Sequence, residues 1–194
     1  MVLHRWGSVE YEIARERMRK VHSLARKDGQ NHLIFCSHPK VFTVGSDGGE
    51  WPVPTVRTDR GGSITCHSEG QSVSYFCFQA QKPPLFYRRV LNAYRALFDE
   101  LLPKALYDKE RPGFYIGGRK IASLGFRYSE GVSLHGVALN VDVDLKFHAL
   151  VAPCNLDGVV PTSLVAEGVT LSMEEVESLL LEKISEAFDE TVQT

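Results

Sequence analysis

Much that would decide the class of this sequence is missing from it. Four cysteines stand in 194 residues (Cys36, Cys66, Cys77 and Cys154), and none forms a C-x-x-C pair. That excludes a zinc-type spacing and a dithiol redox motif, and no metal is expected. Neither charge sign is in excess: 22 Lys and Arg face 24 Asp and Glu, a net of −2, which argues against a nucleic-acid partner. No apolar run approaches the ~20 residues of a membrane span. Met1 to Trp6 is not read as a signal peptide, because no apolar stretch follows Arg5. The glycine-rich Gly45–Gly49 is not followed by Gly-Lys-Ser/Thr, and no helix opens there, so it is not a phosphate loop. These absences describe a cytoplasmic protein with reduced thiols and no membrane partner. There is no internal repeat, linker or low-complexity tract, so residues 1–194 are read as a single domain, with 43% hydrophobic residues to build its core.

What is present centres on Arg57–Gln71. Arg57 and Arg60 can hold an anion or a carbonyl, and Gly61-Gly62 permits a sharp turn and a close backbone approach. Thr65, Cys66 and His67 have strand character, and Ser72–Phe78 continues as another strand. The same letters also fit an ordinary hairpin with a solvated arginine pair. Around this stretch, Ser8 is expected to cap a helix running to about Lys27, with Tyr11, Ala14, Met18, Val21 and Ala25 on one face. Asp28-Gly29 ends it. His32–Cys36 and Val41–Val44 read as strands around a turn at His38-Pro39. Pro83-Pro84 opens a second helix whose buried stripe runs from Phe86 to Leu101. Leu106–Val143 returns to strands joined by the tight turns Gly117-Gly118 and Glu130-Gly131. Ser172 and Glu175 form a capping box for a last helix. The element order predicts an α+β layered domain with a mixed, mostly antiparallel sheet packed with helices.

Four residues stand out as chemistry: His67, Lys120, His135 and Cys154. Cys36 and Cys77 sit inside apolar strands, where buried structural cysteines belong. Cys154 instead follows a proline in a loop, Leu150–Asn155. A cysteine nucleophile acts as the thiolate, so it needs a neighbour that lowers its pKa, and Lys120 can supply that charge or take a proton. Against this stand an ordinary turn lysine and hydrogen-bonded strand histidines. The clusters Arg15-Arg17-Arg19-Lys20 and Arg88-Arg89 fit solvated helix faces, or a docking surface for an acidic partner.

In order along the chain come Arg60-Gly-Gly-Ser-Ile-Thr-Cys-His67 with Gly70-Gln71, then Gly118–Gly125, His135–Asn140, Pro153-Cys154 and Thr162–Leu164, with Cys154 standing 34 positions after Lys120. Together these blocks resemble the octanoyltransferases of protein lipoylation, also called lipoyl(octanoyl) transferases. The resemblance implies a fold similar to the catalytic domain of biotin and lipoate protein ligases. It implies transfer of an octanoyl group from octanoyl-acyl carrier protein to a lysine on the lipoyl domains of 2-oxoacid dehydrogenases and on the glycine-cleavage H protein, with no cofactor. It places the acyl-thioester cysteine on Cys154 and the lysine that lowers its pKa on Lys120. Substrate contacts fall on Arg60, Gly61, Gly62, Ser63, Ile64, Thr65, Cys66 and His67, on Ser123, Leu124 and Gly125, and on Gly136, Val137 and Ala138. Gly61, Gly62, Gly125 and Gly136 are expected to leave space for the acyl chain.

The sequence departs from the pattern at Cys66, Ser68-Glu69 and Asn155, where the family usually has Tyr, Gly-Pro and Gly. Glu69 brings a negative charge toward the expected pocket, and Cys66 brings a second thiol. An ATP-dependent lipoate or biotin ligase on the same fold is the first alternative, and a non-catalytic protein that binds carrier or lipoyl domains is the second. The Lys120–Cys154 pairing favours the transferase. It predicts that Lys120→Ala slows alkylation of Cys154 by iodoacetamide at neutral pH; unchanged alkylation kinetics would contradict the role given to Lys120.

Overall fold

A computed structural model describes residues 1–150 and 160–193; Cys154, Asn155 and the rest of the expected cysteine loop beyond Leu150 lie outside the described residues. The chain opens with β1 (Val2–Ser8), which pairs in parallel with β2 (His32–Ser37). Between them runs α1 (Tyr11–Asp28). Ser8 belongs to the strand and does not cap α1. The N-cap position is Glu10, without a side-chain cap bond, and the helix instead ends on Gly29 in the left-handed region at φ 72°. The buried face is Tyr11, Ala14, Met18, His22 and Ala25, so His22 takes the place expected for Val21.

β3 (Val41–Val44) does not return onto β2. It leaves for a second sheet of three strands, ordered β4-β3-β5, with β4 Val56–Arg57 and β5 Ile64–His67. Arg57–Gln71 is therefore not a hairpin: β4 and β5 flank β3 on opposite sides, parallel and antiparallel to it.

β6 (Gln71–Cys77) enters the main sheet between β2 and β10 (Val132–Asn140) and is buried along its whole length. Its alternation separates two cores. Val73, Tyr75 and Cys77 join the cluster under α1, while Phe76 joins the larger one under α2 (Pro83–Leu101) and α4 (Met173–Phe188). Two serines on the second face are satisfied in place. Ser74 accepts from the buried Tyr94 hydroxyl at 3.0 Å, and Ser72 donates to Glu177 at 3.2 Å. α4 begins with the expected capping box, Ser172 and Glu175 bonding reciprocally.

The main sheet is completed by β7 (Leu106–Asp108), β8 (Gly113–Ile116) and β9 (Arg119–Ser129), in the order β1-β2-β6-β10-β9-β8-β7; every pairing but β1–β2 is antiparallel. This is the α+β layering expected: α2 and α4 cover one face, and α1 and the small sheet cover the other. A short helix, α3 (Leu145–His148), capped by the Asp144 carboxylate, was not legible in the sequence. No described helix is long and apolar enough to cross a membrane.

Candidate active site

The space between the small sheet, α1 and the face of β6, β10 and β9 forms a narrow pocket. Arg60, Thr65 and His67 line it from above; Ser123, Leu124, Gly125, Gly136, Val137 and Ala138 line it from the main sheet; Tyr11, Val73, Tyr75 and His135 close it. The three segments expected at a substrate thus converge, but not with every residue. Period-two alternation turns Ile64 and Cys66 away, into the small sheet's own core with Phe42 and Val44. Gly61, Gly62 and Ser63 line a separate, larger cavity of about 530 Å³ that shares only Leu124 and Gly125 with the first. The glycines are required first by the backbone. A Cβ on Gly136 would collide with the Ser74 carbonyl oxygen, and one on Gly125 would stand 2.9 Å from the Gly61 oxygen. The pocket itself holds only about 30 Å³, room for a water-sized group.

Cys66 is buried and its thiol is pushed up to about 12 by desolvation, so it is not the reactive second thiol the sequence suggested. Glu69 is exposed, and Ser68 is buried against His148 of α3 at 3.0 Å.

Lys120 is not a turn lysine on the surface. It is 2% exposed, with its ammonium 5.4 Å from the centre of the Tyr115 ring. Its backbone N–H donates to the Val160 carbonyl at 2.8 Å, and its carbonyl accepts from Thr162 N–H at 2.9 Å. The segment that follows residues 151–159 is therefore stitched to β9 at Lys120.

A chain of hydrogen bonds joins this point to the pocket. Arg60 Nη2 donates to the Thr43 carbonyl at 2.8 Å and to Thr43 Oγ1 at 3.0 Å. The Thr43 hydroxyl lies 3.2 Å from His67 Nε2, and His67 Nδ1 lies 2.7 Å from Gln71 Oε1. Because an amide oxygen only accepts, His67 carries its proton on Nδ1, and Thr43 donates to Nε2. Gln71 Nε2 then donates to Asn140 Oδ1 at 2.9 Å, and Asn140 Nδ2 donates to the Thr162 carbonyl at 2.9 Å. Thr43, Gln71, Asn140 and Thr162 received no role from sequence reasoning. The available signal was the pair of amides, Gln71 and Asn140, at the ends of two strand segments.

His135 occupies an unusual backbone position, φ 63° in the middle of β10, directly before Gly136. This geometry sends its Nε2–H to Asp59 Oδ1 at 2.7 Å; Asp59 also meets Arg127 at 2.7 Å and Arg19 at 3.6 Å. The hydrogen bond from His135, with the charge of Arg127, holds the Asp59 carboxyl well below the usual range. Arg15 donates to the Arg57 carbonyl at 3.0 Å. Two arginines of the basic face of α1 are thus engaged, Arg15 with β4 and Arg19 with the strap that follows it. Among the described residues, no group of three or more His, Cys, Asp or Glu is placed to hold a metal.

The layering is shared with lipoate and biotin protein ligases of known structure. A bipartite lipoate protein ligase of Thermoplasma acidophilum superimposes with a TM-score of 0.70 at 17% identity, covering 100% of this chain and 86% of that one. A lipoate-protein ligase A solved with ATP gives 0.72 at 18% identity, covering 100% and 88%, and a biotin protein ligase of Leishmania major gives 0.62 at 12%, covering 97% and 76%. At these identities the likeness concerns the fold alone. The chain belongs to the lipoyl protein ligase A/B catalytic domain family, whose pattern it matches over residues 10–185. Its relatives include an octanoyltransferase of Psychromonas ingrahamii, 38% identical over 82% of this chain and 78% of the relative, and one of Pseudomonas putida, 33% identical over 97% and 92%.

Burial holds the imidazoles of His38, His67, His135 and His148 below their ordinary pKa, His148 at about 4. Folding therefore favours their neutral form. That contribution is complete above the unfolded value near 6.5 and is lost as the pH falls below it, at up to about 1.4 kcal/mol per pH unit for each group. The urea midpoint is expected to drop steeply between pH 6.5 and 5, and His148→Gln is expected to flatten the slope. An unchanged midpoint over that interval would contradict neutral burial.

Proposed function

We propose that this protein transfers an octanoyl group from octanoyl-acyl carrier protein to a lysine of lipoyl domains, including those of 2-oxoacid dehydrogenases and the glycine-cleavage H protein, through a thioester on Cys154. The observation that carries the reading is the burial of Lys120 on β9, the strand whose Ser123, Leu124 and Gly125 line a narrow, largely apolar pocket, with its backbone bonded to Val160 and Thr162. Val160 stands six positions after Cys154, a stretch of at most about 22 Å of extended chain. The octanoyltransferase names of relatives that cover most of the chain support the same chemistry.

In this reading the Cys154 thiolate attacks the octanoyl carbonyl, and the carrier's thiolate leaves. One thioester replaces another, so the donor is already activated and no nucleotide is consumed. The acceptor amine then attacks octanoyl-Cys154, the sulfur leaves, and a stable amide remains. The charge of Lys120 favours the Cys154 thiolate. Lys120 gives its proton to the departing carrier sulfur and then, as the neutral amine, takes the proton that the acceptor nitrogen loses. Burying the acyl chain contributes about 0.8 kcal/mol per methylene. Because the pocket holds only about 30 Å³, its walls part as the chain enters.

Purified protein mixed with octanoyl-acyl carrier protein and a lipoyl domain is expected to octanoylate that domain without ATP, read as the intact mass of the acceptor. Modification that requires free octanoate and ATP would contradict the reading and favour a ligase.

A further inference from the structure

The end of the pocket farthest from Lys120 is built differently from its sides. Gly125 lies five positions along β9 from Lys120, ~16 Å at strand rise. Gly125 pairs with Gly136 on β10, and Gly136 pairs in turn with Tyr75 on β6. The Tyr75 ring is 4% exposed and lines the pocket. Its strand has neighbours on both sides, because Tyr75 also pairs with Ile34 of β2.

The ring is braced as well as buried. Tyr75 Oη lies 2.8 Å from His38 Nε2, and His38 Nδ1 lies 2.7 Å from the Val9 carbonyl. A carbonyl only accepts, so Nδ1 carries the proton, and the Tyr75 hydroxyl must donate to Nε2. His38 is fully buried, and Tyr11 packs edge-on against it at 5.3 Å while stacking on His67 at 5.7 Å. Swinging the Tyr75 ring aside would leave a buried donor and a buried acceptor unpaired.

The opposite wall is held differently. The strap between β4 and β5 is pinned through Asp59 to the buried His135 at 2.7 Å and to Arg127 and Arg19, whose side chains are 46% and 60% exposed. Exposed ion pairs of this kind contribute little.

We propose that Tyr75 is the stop that sets acyl-chain length, the methyl end of the bound chain resting against its ring. The inference rests on the octanoyl-transfer reading and adds the residue that measures the chain. Removing the ring opens depth for further methylenes beneath Tyr11 and His38, and each buried methylene is worth roughly fourfold in affinity.

The test compares octanoyl-, decanoyl- and dodecanoyl-acyl carrier protein as donors to one lipoyl domain. The ratio of kcat/KM for dodecanoyl over octanoyl is read in wild type, Tyr75→Ala, Tyr75→Leu and Tyr75→Phe. Wild type is expected to favour octanoyl. The ratio should rise at least roughly tenfold in Tyr75→Ala and Tyr75→Leu, from two or more newly buried methylenes, and rise less in Tyr75→Phe, which keeps the ring but loses its bond to His38. Tyr75→Leu keeps a buried apolar side chain and serves if Tyr75→Ala does not fold. Equal use of dodecanoyl and octanoyl by wild type would overturn the stop, as would an unchanged ratio in a folded Tyr75→Leu that still transfers octanoyl. Absence of transfer by wild type from every donor would instead overturn the transfer reading on which the stop depends.

Discussion

Gln71 and Asn140 face each other across β6 and β10 and share a buried hydrogen bond of 2.9 Å. Each then uses its remaining amide groups to fix something else. Gln71 holds His67 and the Cys66 carbonyl, which orients β5 of the small sheet; Asn140 holds the Thr162 carbonyl, which orients the segment bonded to Lys120. The pair therefore locks two sheets and the returning chain into one geometry. Losing either amide would leave several buried polar groups unsatisfied at once, each costing about 1–3 kcal/mol. This explains why amides stand at the first position of β6, a strand buried from end to end, and at the last position of β10.

The pocket inherits its character from that lock. Its roof is a small sheet and its floor a large one, and both are short of side-chain volume where their backbones come close. Gly136 and Gly125 are required because the Ser74 and Gly61 carbonyls leave no room for a Cβ. His135, beside Gly136, adopts a left-handed backbone in a strand and reaches Asp59 as a result. One side of the pocket is stiff, built of buried hydrogen bonds. The other is a strap tied down by buried His135 and Arg60 as well as by exposed arginines. A narrow pocket of this kind suits a slender ligand.

Most of the fold was legible in the sequence. The helices announced themselves by stripes and caps, and β7 to β10 by alternation and glycine turns. What could not be read was which strands share a sheet. β3 and β5 carry the same apolar alternation whether they join β2 or each other, so the second sheet was invisible, and with it the inward turn of Thr65 and His67 and the outward turn of Ile64 and Cys66. The triggering motifs located the pocket segments because they hold the backbone contacts that shape it. They gave no role to Tyr11, Tyr75 or His38, whose places depend on long-range packing of α1 against β6. The departure at Ser68-Glu69 is absorbed structurally: Ser68 meets His148 and Glu69 points to solvent.

The central claim is that Cys154 carries the acyl group. Intact-protein mass spectrometry after mixing with octanoyl-acyl carrier protein tests it most directly, in wild type and in Cys154→Ala. The account predicts a hydroxylamine-labile octanoyl adduct on the wild type that is absent from Cys154→Ala. An adduct that persists in Cys154→Ala, or none on the wild type with a competent donor, would contradict it.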